Sequence, residues 1–111
     1  GLICFQPLPN HLIAAPNKCF NYLLCGQPVL GPDFPRSHFA VLAAEGCGVL
    51  ADPRSAPSYA DALERMIVDR PATEAMAVAA RELSATRYRW RHMEPALFDL
   101  YRRVLAAKSN P

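Results

Sequence analysis

The stretch PNKCFNYLLCGQPVL, residues 16–30, decides the fold, because it joins a helix start, a short amphipathic helix and the opening of a strand. Asn17 stands in an N-cap position after Pro16, which predicts a helix from Asn17 to about Cys25. Gly26 is placed to end that helix in the left-handed conformation, and Pro28 to Leu30 reads as a strand after a minimal loop. At about 100° per residue, Phe20, Leu23 and Leu24 share one face, while Lys18, Asn21, Tyr22 and Cys25 share the other. The first face is expected in the core. The second is either solvated or turned to a ligand.

Working outward, Leu2 to Phe5 is short and apolar on both sides, as suits a strand buried on both faces of a parallel sheet. The segment QPLPNHLIAAPN after it carries too many breakers for a helix. Past the loop GPDFPRSH, Ser37 can cap a helix over 37–44 in which Phe39, Leu42 and Ala43 pack inward, and Gly46 stops it. CGVLAD is a third short strand, closed by Asp52 and Pro53. Strand, helix, strand, helix, strand at this spacing implies an α/β fold with a short parallel sheet and right-handed helical crossovers.

Beyond Ser55 only helices follow. Ser58 and Asp61 have capping-box spacing, and Tyr59, Leu63, Met66 and Ile67 form the expected buried stripe. DRP, residues 69–71, breaks the pattern. A helix over about 72–86 should turn Met76, Ala80 and Leu83 inward, and a last one over about 91–107 should bury Leu97, Phe98, Tyr101, Val104 and Leu105. Pro95 must start or kink that last helix, since it lacks the N–H that the helix interior needs.

The composition is that of a globular chain, 111 residues with 51% hydrophobic and 20% charged. A formal net charge of +2, with arginines scattered apart from RYRWRH, argues against a nucleic-acid partner. No apolar run approaches the roughly 20 residues a membrane-spanning helix needs. Cys4, Cys19, Cys25 and Cys47 lack ligand spacing and read as buried free thiols, which suits a reducing cytoplasm. His11, His38 and His92 are far apart, so no metal site is expected. Gly1 opens directly on the apolar run LICF without an initiator Met, as expected of a piece of something longer.

Ligands of open parallel sheets bind beyond the carboxyl ends of the strands. Three places qualify: the loop from Phe5 to Asn17, the loop GPDFPRS, and the turn ADPRS. The first ends on a helix start, whose N–H groups and dipole favour an anion such as phosphate, and Lys18 adds a full charge. Every helix has a positive end, however, and Asp33 can equally cap a turn, Tyr22 pack in the core, and Trp90 anchor the last helix. No Ser/His/Asp or Cys/His arrangement stands out, nor a close carboxylate pair at a strand end.

Read together, GLICF, PNKCFNYLLCGQPVL, EGCGVLADP and YRWRHMEPALFDLYRRV resemble, in that order, the C-terminal part of the group 1 glycosyltransferases. Members of that family often show P-x-K-L-F-E-Y-x-A-x-G-x-P-V, then D-P, then Y-x-W before a closing helix. The resemblance covers nearly all of the chain. It implies a three-layer Rossmann-like fragment with C-terminal helices, belonging to a two-domain GT-B enzyme, with residues 1–111 forming the C-terminal part of the donor-binding domain. It further implies that the parent transfers a sugar, with retention, from a nucleotide-sugar to a carbohydrate or lipid-linked acceptor, the acceptor being held mainly by the other domain. Donor binding then falls on Asn17, Lys18 and Cys19, whose backbone would meet the diphosphate, and on Asn21 at the ribose. No cofactor is implied besides the donor, which is a substrate. Peripheral membrane association of the parent is compatible with a lipid-linked acceptor.

Asn21 departs from the family pattern, where glutamate accepts hydrogen bonds from the ribose hydroxyls. A carboxamide offers one acceptor oxygen and a donating NH₂ group. Hydrogen bonds to charged groups contribute about 1.5–3 kcal/mol against about 0.5–1.5 for neutral ones, so Asn21 should weaken ribose binding by on the order of 1 kcal/mol. The family's earlier glutamate falls on Ile13, in a loop of different length, and nothing transfers to it. Because the family's phosphate-neutralising basic residues lie upstream, the fragment alone is expected to be inactive and to contain no catalytic residue. The rival readings are a non-catalytic nucleotide-sugar or interaction module, and a generic doubly wound regulator domain.

Overall fold

The computed structural model describes residues 1–109. The elements are α1 (Asn17–Leu24), β1 (Val29–Pro32), α2 (His38–Ala44), β2 (Gly48–Ala51), α3 (Ala56–Val68), α4 (Arg70–Leu83), a π-helical turn (Ser84–Tyr88) and α5 (Trp90–Ser109). β1 and β2 pair in parallel with Val29 opposite Gly48 and Pro32 opposite Ala51. The opening segment joins the other edge of β1 through one parallel bridge, Leu2 to Leu30, in which Ile3 N–H donates to the Leu30 carbonyl at 2.9 Å. The expected α/β arrangement is therefore present, with its first strand reduced to that bridge. Leu2 is exposed while Ile3 is buried, so this segment is covered on one side and not on both.

Alternation along β1 sends successive side chains to opposite faces. Val29 joins Ile3, Cys19, Leu23, Phe39, Leu42, Cys47, Ala80 and Leu83 in the larger core, beneath α1, α2 and α4. Leu30 joins Ala51 and Ala62 on the opposite face, beneath α3. Helices thus cover both faces of the sheet.

Several local expectations are corrected. Pro16, with extended backbone, takes the N-cap position of α1 and Asn17 is the first helical residue, so Asn17 does not cap. On α1, Cys19 and Leu23 are buried, Tyr22 packs against the core and Leu24 is exposed. The wheel is rotated because α4 and the π turn, as well as the sheet, press on this helix. α3 is capped by Ser55, whose Oγ accepts from Ser58 N–H at 3.1 Å, with Pro57 in the first turn, and not by a Ser58–Asp61 box. Its inward residues are Tyr59, Ala62 and Met66, while Leu63 and Ile67 are exposed, since a two-stranded sheet is too narrow to receive a wider stripe.

DRP is a helix start. Asp69 Oδ1 accepts from Ala72 N–H at 3.1 Å, and Pro71 sits in the first turn, where its missing N–H costs nothing. α4 buries Ala80 and Leu83 as expected and passes into the π turn. α5 begins at Trp90 and runs through Pro95 without ending. It has no buried residue: Phe98, Tyr101, Val104 and Leu105 are all at least half exposed. Its main packing is against the π turn, and the chain extends to 61 Å along its longest axis. Of the cysteines, Cys19 and Cys47 are buried as expected, whereas Cys4 and Cys25 are exposed; all are free thiols.

Candidate functional site

The loops that follow the three parallel segments meet at the carboxyl end of the sheet. The first is folded on itself by Phe5, whose ring stacks on His11 at 4.5 Å, and by a 2.9 Å hydrogen bond between His11 Nδ1 and the Gln6 carbonyl. Gln6 Nε2 donates to the Pro53 carbonyl at 3.4 Å, tying this loop to the turn after β2. In that turn Asp52 Oδ1 accepts from Arg54 N–H at 2.9 Å, and Asp52 N–H donates to Ser58 Oγ at 3.0 Å. Asp33 N–H donates to the Ala51 carbonyl at 2.8 Å and carries the parallel ladder one residue past β1.

Between these loops lies an open crevice of about 450 Å³, bounded by Pro7 and Leu12, by Asp33, Phe34 and Pro35, and by Asp52, Pro53 and Arg54. Its walls are apolar rings and backbone. Its charged groups are two carboxylates, which accept hydrogen bonds from hydroxyls, and a guanidinium, which donates to an anion. A larger hollow of about 850 Å³ follows the exposed face of α3, from Ser55 to Asp69, away from the other two strand-end loops.

α1 runs back from the same end of the sheet, since its C-terminus feeds the start of β1. Its first N–H groups have no acceptor within their own helix. Cys19 N–H is already given to the Pro16 carbonyl at 3.0 Å, while Asn17 and Lys18 N–H have no partner among the described residues. Asn17, Lys18 and Asn21 are exposed and, at spacings of three and four, share one face. Cys19 is fully buried, and burial pushes its thiol up to about 11 against the opposing pull of the Lys18 charge. Its side chain is core, so any contact with a ligand at this helix start belongs to Asn17, Lys18 and Asn21. None of the four residues lines the crevice.

Asp52 and Arg54 lie in the ADPRS turn, one of the strand-end loops of the sequence, but no ligand role for either follows from the sequence pattern. Their spacing lets the aspartate hold the arginine's backbone two residues on. Among the described residues no group of three or more His, Cys, Asp and Glu side chains gathers as a metal site would need.

No family model and no curated protein matches the chain. A solved structure does: a sucrose-phosphate synthase from Thermosynechococcus elongatus, with a TM-score of 0.75 and 22% sequence identity. The superposition covers 84% of this chain and 23% of that one. The backbone of this chain follows the fold of the matched part of that synthase. The chain spans about a quarter of the length of the structure it matches. At that identity the likeness concerns the path of the backbone, and the placement of Asn17, Lys18 and Asn21 rests on the geometry described above.

Proposed function

We propose that this chain is the nucleotide-sugar-binding part of a glycosyltransferase whose parent transfers a sugar, with retention, to a carbohydrate or lipid-linked acceptor. The observation that carries the reading is the conjunction of a glycosyltransferase-like backbone with a helix start at the carboxyl end of the sheet whose Asn17 and Lys18 N–H groups have no partner among the described residues. Those groups and the Lys18 ammonium would hold the donor diphosphate. Asn21, one turn along the same face, would reach the ribose, and the crevice with Asp33, Asp52 and Arg54 offers room for hydroxyl-bearing groups.

Chemistry in such an enzyme is largely positioning of two substrates and stabilisation of the leaving diphosphate. This chain would supply the donor's seat, and the remaining charge stabilisation and the acceptor site would come from the rest of the parent. Asn21 favours a second reading, a donor-binding module without transferase activity, because it withholds the charged acceptor that a ribose diol uses best.

The deciding experiment is calorimetric titration of the parent with several nucleotide-sugars, followed by product assays with the donors that bind. Binding with turnover supports the transferase, and binding without turnover supports the module. If no nucleotide-sugar binds, both readings fail.

A further inference from the structure

His38, the first residue of α2, is a titratable group that the proposed donor site does not use. Its ring lies in a three-ring cluster, 5.0 Å from Phe20 of α1 and 5.3 Å from Tyr88 of the π turn, and those two rings are themselves 5.2 Å apart. His38 Nε2 is buried with no hydrogen-bond partner, the one side-chain nitrogen or oxygen in that condition among the described residues. A protonated Nε2 would be a buried donor with nothing to donate to, on a charged ring packed against the Phe20 and Tyr88 rings.

The charged and titratable surroundings add to this. From the π turn, Arg87 bears on His38 with the same sign of charge, and Glu45 at the end of α2 is engaged with Arg87 at 3.2 Å. α1 presents the Phe20 ring, and the π turn also presents the Tyr88 phenol ring. Burial first, and Arg87 second, hold the imidazole below its ordinary value of 6.5. The cluster also has a mechanical position: α5 packs on the π turn, so whatever seats that turn also anchors α5.

We propose that His38 is a proton-operated latch: neutral, its ring fills the gap between Phe20 and Tyr88 and seats the π turn; with a solvent proton on Nε2 it releases that turn and, with it, the root of α5. The sign follows from linkage. The neutral form is preferred in the closed state, so the seat is intact above the ordinary imidazole range and weakens as pH falls below it. His92, on the first turn of α5, places its Nε2 2.9 Å from the Ala85 carbonyl.

The test is amide hydrogen exchange of the full 111-residue chain, corrected for intrinsic rates, between about pH 7.5 and about pH 5.5. Exchange in residues 84–93 should rise by up to about tenfold per pH unit through the titration, while β1 and β2 stay protected. His38→Phe, which keeps an aromatic ring and removes the proton site, should abolish the rise, and His92→Gln should not. The His38 ring resonances of the unaltered chain give a check that needs no variant: they should titrate below 6.5, together with the exchange. A titration above that value, a pH-independent π turn, or an unchanged rise in His38→Phe overturns the proposal.

Discussion

The phenol of Tyr59, in the first turns of α3, donates to the Ile3 carbonyl at 3.0 Å and so joins residues 56 positions apart. Ile3 is at the edge of the sheet, in a segment held by a single bridge, and this bond pins it to the helix on the far face. Removing the hydroxyl leaves a buried carbonyl without a partner. Tyr59→Phe should therefore lower stability by about 1–2 kcal/mol, measured by urea denaturation with an unchanged slope. Burial, and secondarily the charge of Cys4, push the Tyr59 phenol up to about 12. An acid whose folded value is raised stabilises the fold only while neutral in both states, so stability should fall as pH rises above about 10, and the fall should be smaller in Tyr59→Phe.

Two glycines that end helices should respond differently to alanine. Gly26 and Gly46 both have positive φ, 66° and 72°. A Cβ at Gly26 would run into the Arg81 side chain, while one at Gly46 meets nothing within 4 Å. Gly46→Ala should cost only the left-handed backbone term, about 1–2 kcal/mol. Gly26→Ala should cost more, because Arg81 must also leave the end of α1, and thermal melts of the two variants check the order.

The cysteines give a direct test of burial. Cys4 and Cys25 should react with a thiol reagent in the folded chain, and Cys19 and Cys47 only after denaturation. Burial raises both buried thiols, Cys19 to about 11, so raising the pH to about 8.5 should not recruit them. Four fast-reacting thiols in the native chain would contradict the position of α1 on the sheet.

The order of strands and helices was legible in the sequence because breakers and caps act locally: Gly26, Gly46 and the DRP break all mark real boundaries. What was not legible depended on neighbours distant in sequence. The wheel for α1 placed Leu24 in the core and Tyr22 outside it, because it could not know that α4 and the π turn would press on the helix. The same limit applies to α3, whose apolar pattern is wider than the surface it meets. α5 carries the pattern of a buried helix, and nothing in these residues covers it. Of the candidate site, the helix start was visible from residues 16–18, whereas the crevice of Asp33, Asp52 and Arg54 forms only when three loops converge.

Asn21 is where the functional reading can be pushed in the favourable direction. It is exposed, its side chain has no partner among the described residues, and it shares a face with Asn17 and Lys18. A carboxylate there would accept from both hydroxyls of a ribose diol without displacing any bond of the fold. Asn21→Glu in the parent should tighten nucleotide-sugar binding by about fivefold, the equivalent of on the order of 1 kcal/mol, with little change in stability. Lys18→Met should weaken it, and more at low salt than at high salt, since an exposed charge is screened. Calorimetry on the pair separates the two contacts. A deoxyribose donor should lose most of the gain from Asn21→Glu and none of the dependence on Lys18, and equal gains for ribose and deoxyribose donors would place Asn21 away from the sugar.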